Sequence, residues 1–232
     1  MKSKKLIKKL ALALATVTLV SCGKGTATVE DTQDSVREPY KKKYTNADFY
    51  KEGKLDPEVA LAAYLDMFDY YGVQYSDFLK ENLFISDFGL GDFENTGMAG
   101  VFWLNDSVHS YFGHEIYLLP GQMIGQHRHV ATNYPPKYES WQVRHGWAYN
   151  FSTGEPTPNA PKIPASQAGS VTIAHYQIQK VDDIIHLNEA EAPHFLYAGP
   201  EGAIVTEYAS YHDNAGLKWD NPKANFADVL KQ

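Results

Sequence analysis

The chain has 232 residues, with 21 basic and 28 acidic side chains, nine histidines and a single cysteine. Residues 1–21 hold five of the lysines and no acid, so the remainder carries 16 basic against 28 acidic residues, a net charge of −12. That balance excludes a nucleic-acid binder, which needs a basic footprint, and one cysteine excludes a disulfide within the chain.

Lys2, Lys4, Lys5, Lys8 and Lys9 form a basic start, and Leu10 to Val20 is an apolar run too short for a stable membrane-spanning helix. Leu19-Val20-Ser21-Cys22 resembles a bacterial lipobox. The expectation is a lipoprotein signal peptide over residues 1–22, lipidation at Cys22, and a mature chain anchored to the membrane of the bacterial cell envelope, periplasmic or at the cell surface. Residues 23–43 are polar and poor in large apolar side chains, and read as a flexible tether. Residues 44–232 are long enough to bury one domain.

Asp56-Pro57-Glu58 predicts a helix start, with a capping carboxylate and proline at the first helical position. Val59, Leu61, Ala62, Leu65, Phe68 and Tyr71 follow at helical spacing until Gly72. A short second helix is expected over Ser76 to Asn82. From Phe84 onward the pattern turns to short β-type runs separated by Gly, Pro, Asn and Asp. Strands are expected over Gly100–Leu104, Tyr111–Leu119, Ile124–Val130, Glu139–Phe151, Ser170–Gln177, Asp183–Leu187, His194–Ala198 and Ala203–Tyr211. Residues 154–164, with four prolines, read as a surface connection, and 213–232 as loop with a terminal helix from Asn225. This is a mainly β chain of sandwich or barrel type with a short N-terminal helical segment.

Within it, Gly121 is followed after five residues by His127-Arg128-His129, then by Glu139 and, after six intervening residues, Gly146. Strand alternation points His127 and His129 into one space. A carboxylate returning on a neighbouring strand makes three ligands of mixed nitrogen and oxygen type. Gly121 and Gly146 are expected at tight turns closing the strand ends. The string resembles the first motif of the cupins, a family of double-stranded β-helix (jelly-roll) barrels. The gap before Glu139 is longer than usual, and the loop from Ala131 to Lys137 is expected to overhang the metal.

Three further stretches narrow the likeness. Ile85 to Gly97, Leu119 to Gln122 with Gln126 to His129 and Lys137 to Glu139, and Pro193-His194 with Ala198 to Glu207 together resemble the D-lyxose isomerases. The resemblance implies a divalent cation, manganese first and zinc, iron or cobalt as substitutes, on His127, His129, Glu139 and His194. It also implies a monosaccharide substrate and a homodimer. Glu207 shares a strand face with Ala203, Val205 and Ala209; by alternation alone it is either an edge charge or an inward acid. The resemblance places it inward as the general base, with Lys137 as a second catalytic residue.

Two positions depart from the family pattern. Tyr138 stands where a second glutamate is usual and His114 where a lysine is usual, and both are expected to touch sugar. His114 shares a face with Ile116 and Leu118. The activity implied is metal-dependent conversion of an aldose to its ketose, on D-lyxose or a related sugar such as D-mannose. A non-catalytic, metal-containing carbohydrate-binding lipoprotein is the alternative.

Overall fold

The structure, a computed structural model, describes residues 37–226. The expected signal peptide, the lipidation residue Cys22, most of the tether and all but the start of the terminal helix lie outside the described residues. The compact unit begins at Glu38, ahead of the expected boundary. Tyr40 is the reason: it is buried in the core, and its hydroxyl donates to Asp66 at 2.8 Å.

A short helix α1 (Asn46–Phe49) and a hairpin of β1 (Tyr50–Lys51) and β2 (Lys54–Leu55) lead into α2 (Pro57–Tyr71) and α3 (Asp77–Asn82). Asp56 caps α2, accepting from the backbone of Glu58 and Val59, and Gly72 ends it in the left-handed conformation. The buried stripe of α2 is Ala60, Ala63, Tyr64, Met67 and Phe68, rather than the row through Leu61 and Leu65. Apolar residues run most of the way around this helix. Ala60 and Ala63, two of its three alanines, lie on the buried face, where their small side chains permit close approach.

The strands are β3 (Phe84–Ser86), β4 (Met98–Asp106), β5 (Tyr111–Leu118), β6 (His127–His129), β7 (Glu139–Ser152), β8 (His175–Lys180), β9 (Ile184–His186), β10 (Phe195–Ala209) and β11 (Leu217–Trp219). Seven of them form an antiparallel sheet ordered β3-β4-β5-β10-β7-β8, with β9 also on β7. β6 and β11 make a separate ribbon, tied back to the start of β10 by bridges at Met123–Tyr197 and His127–His194. The result is a mainly β barrel.

The two expected strands around Gly199-Pro-Glu-Gly202 are one, because that segment is a bulge inside β10 and not a turn. Gly146 faces it from the middle of β7, not from a strand end. Its φ is +65°, and a Cβ there would stand 2.1 Å from the Gly202 carbonyl oxygen. Gly121, at φ +73°, does sit in a turn. The strand expected from Ser170 begins only at His175, because the backbone of Thr172 and Ile173 donates to the Gln126 side chain rather than to a ladder.

Each long strand divides its side chains between two cores. On β10, Ala203 and Val205 face the barrel interior with Ile116 and Leu118 of β5 and Trp141 and Val143 of β7. Ile204 faces outward, packing with Tyr117 against Tyr64, Met67 and Phe68 of α2. This alternation delivers the polar side chains at 114, 139 and 207 into the interior.

Candidate active site

The interior cavity is lined by His114, His127, His129, Lys137, Glu139, His194, Glu207 and His212, against a wall that includes Phe84, Phe102, Trp141 and Trp219. Possible ligand atoms of His127, His129 and His194 all lie within 4.8 Å of one another. Nδ1 of His127 stands 2.9 Å from the Gly125 carbonyl oxygen, and Nδ1 of His194 stands 2.9 Å from that of Ala192. A carbonyl only accepts, so each Nδ1 carries the proton and each Nε2 is left with a free lone pair.

Glu139 joins this cluster. Its Oε1 is 3.4 Å from His129 Nε2 and its Oε2 is 2.9 Å from His194 Nε2. Yet Glu139 Oε2 and His194 Nε2 make no hydrogen bond with any described residue. Buried polar atoms are rarely left in that state. A shared third partner is what such a pair lacks, and three nitrogens with one carboxylate are donors that suit a divalent transition metal. The residues present therefore fit the cation.

Beside it lies a second constellation. The Lys137 ammonium donates to Glu139 Oε1 at 2.9 Å and also to Glu207 Oε1, while His114 Nδ1 is 3.2 Å from Glu207 Oε2. Burial works against the Lys137 charge, but Glu139 and Glu207 outweigh it and hold its pKa above the ordinary lysine value. Burial likewise pushes both glutamates up, but Lys137 together with the neighbouring imidazoles, His114 at Glu207 and His194 and His129 at Glu139, more than reverses it, so Glu207 is depressed and Glu139 strongly so. His114 is lowered by burial in spite of Glu207, and His127 is held well down by burial and by the two neighbouring imidazoles. In His194 the Glu139 carboxylate overcomes burial and raises the pKa.

Seven of the sequence-derived residues thus meet in one cavity. Tyr138 does not. With Lys137 and Glu139 turned inward, alternation sends Tyr138 out, where it is 54% exposed. Its backbone N–H is held by Ser210 Oγ at 2.9 Å. The loop from Ala131 to Lys137 does not overhang the site either; Thr132 bonds Asp213, Tyr134 lies against Tyr211, and only Lys137 reaches the cavity.

No family model matches the chain. A D-lyxose/D-mannose isomerase of Thermosediminibacter oceani is 34% identical over 145 residues, 62% of this chain and 79% of that protein. The chain belongs to the D-lyxose ketol-isomerase family. A second member, the D-lyxose ketol-isomerase of Cohnella laeviribosi, is 28% identical over 168 residues, covering 72% of this chain and 91% of the relative. Among solved structures, an L-ribose isomerase variant of Acinetobacter sp. superposes with a TM-score of 0.56 at 14% identity, over 72% of this chain and 92% of that one. At that identity the likeness is one of fold.

This family member closes its cavity with residues that its sequence does not advertise. Trp219 of β11 lies over His127 at 5.1 Å, and His212 stands 5.5 Å from His129. Trp219 comes from the stretch that reads as loop, and His212 falls just before it, one residue past the expected strand Ala203–Tyr211. The apolar alternation of Leu217 and Trp219 is the only trace of β11, and regular alternation ends at Ala209, before residue 212.

Proposed function

We propose that the protein is a metal-dependent aldose–ketose isomerase acting on D-lyxose or a close relative such as D-mannose, lipid-anchored at Cys22 in the bacterial cell envelope. Family membership supports the reaction class. The convergence of His127, His129, His194 and Glu139 beside an ionised Glu207 is the observation that carries the rest. The three imidazoles and Glu139 would hold the cation, manganese first, and when bound it supplies Lewis acidity to the sugar oxygens.

Glu207 is the base. Its carboxylate takes the proton from C2 of the aldose, giving an enediolate with the charge on O1; the O2 hydroxyl proton passes to O1, and the same carboxylate returns its proton to C1 as the C2–O2 double bond forms. Lys137 keeps Glu207 ionised at neutral pH and fixes Oε1, and His114 fixes Oε2. The aromatic wall excludes water, which would otherwise exchange the travelling proton with solvent. The homodimer and the anchor rest on the family resemblance and on Leu19 to Cys22.

The test is incubation of the purified, manganese-loaded mature chain with a panel of pentoses and hexoses, scored for ketose. D-lyxose or D-mannose should be converted. Absence of any ketose from any sugar would move the protein to the carbohydrate-binding alternative. For the anchor, Cys22→Ser should shift the protein from the membrane fraction to the soluble one.

A further inference from the structure

Eight polar side chains line the cavity, and the mechanism above uses seven of them. The eighth is His212. Its main chain is fixed by the Asn105 side chain at the end of β4: the His212 N–H donates to Oδ1 at 3.0 Å, and its carbonyl accepts from Nδ2 at 2.9 Å. The ring stacks on Phe112, with centroids 5.3 Å apart and planes 23° from parallel, and meets His129 edge-on. Nε2 lies 2.9 Å from Asn214 Oδ1. An amide oxygen only accepts, so Nε2 carries the proton and Nδ1 is an acceptor.

That Nδ1 is buried and has no hydrogen-bond partner among the described residues. Backbone and ring are held from several sides, yet none of the described residues meets the one lone pair the ring has left. Such an atom normally has a partner. His212 also lies outside the group of three histidines whose ligand atoms converge.

We propose that His212 is a specificity-determining residue whose Nδ1 accepts a hydrogen bond from a substrate hydroxyl at C3 or beyond. This rests on the sugar-isomerase reading. O1 and O2 belong to the reacting end of the sugar, beside Glu207, so a further acceptor in the same cavity meets a hydroxyl farther along the chain. Inverting that carbon turns the hydroxyl away and leaves Nδ1 unpaired, so the residue sorts epimers.

The test uses His212→Phe, which keeps the stack on Phe112 and removes the acceptor, and His212→Asn, which returns an oxygen near the place of Nδ1. His212→Phe should lower kcat/KM for the best aldose about ten- to thirty-fold. It should also bring the C3 and C4 epimers within about threefold of one another, with bound metal per chain unchanged. The asparagine variant should recover much of the discrimination, and a deoxy sugar lacking the contacted hydroxyl should not distinguish phenylalanine variant from wild type. Unchanged epimer ratios overturn the proposal. So does loss of metal, which would move His212 into the ligand set. If the wild type converts no aldose, the isomerase reading fails on its own, and calorimetric affinities of the same epimers decide His212: equal values for wild type and His212→Phe overturn it.

Discussion

Replacing Lys137 by methionine removes one positive charge and little volume from a place where it serves two carboxylates. Lys137, Glu139 and Glu207 are each about 4% exposed, and the ammonium also sits 4.4 Å from the centre of the Phe112 ring, which the methionine stem still covers. With lysine present the three groups sum to −1; without it, two anions share a buried wall. Removing one partner of a buried pair costs about 3–5 kcal/mol. The protein has one relief, which is to protonate a glutamate. At pH 7 that costs about 1.4 kcal/mol for each pH unit above an ordinary glutamate pKa near 4.3, roughly 3.7 kcal/mol in all. Lys137→Met should therefore destabilise the chelator-treated protein by about 3–4 kcal/mol in urea unfolding at pH 7, with an unchanged m-value. Lys137→Met/Glu207→Gln, which withdraws the cation together with one anion, should recover at least about half of that loss. A single-variant loss below about 1 kcal/mol would refute the reasoning, since a paired and desolvated ammonium cannot be that cheap to remove.

Glu207→Gln should reduce kcat by about 10²- to 10⁴-fold while leaving the metal content of the chain unchanged, because a general base is lost and no ligand is. Gly146→Ala places a Cβ 2.1 Å from the Gly202 carbonyl oxygen at a φ of +65°. It should cost more than the roughly 1 kcal/mol of left-handed strain alone, measured by chemical unfolding. Glu115 lies on the outer face of β5, where burial raises its pKa against the opposing hydrogen bonds of Thr206 and Trp103. A raised carboxylate penalises the fold only when ionised, so the penalty is absent in acid and grows as pH rises through the folded pKa. Glu115→Gln should thus stabilise the protein at pH 7 and be neutral near pH 3.5, as followed by thermal unfolding at both values.

Alternation was enough to read the interior from the sequence. A period of two along β5, β7 and β10 places His114, Glu139 and Glu207 with the apolar residues that share their faces, and the same rule, applied at Tyr138, sends that side chain outward. The substrate contact expected there came from matching a family position instead, which ignores direction. What the sequence hides is the pairing of distant segments. β11 is three residues long and gains its place by pairing with β6, which sets Leu217 opposite His129 and Trp219 opposite His127. His212 depends on a clamp from Asn105, 107 residues away. Glycines also misled where they read as turns, because Gly146 and Gly202 allow two strands to cross at a bulge rather than to end.

The claim on which the account stands is that four donors from β6, β7 and the residue before β10 grip a single divalent ion. Manganese titrated into the chelator-treated protein and followed by calorimetry should show one tight site per chain. That site should be abolished in His127→Ala and in His194→Ala and retained in Tyr138→Ala. No tight site in the wild type, or uptake undiminished in His194→Ala, would contradict it.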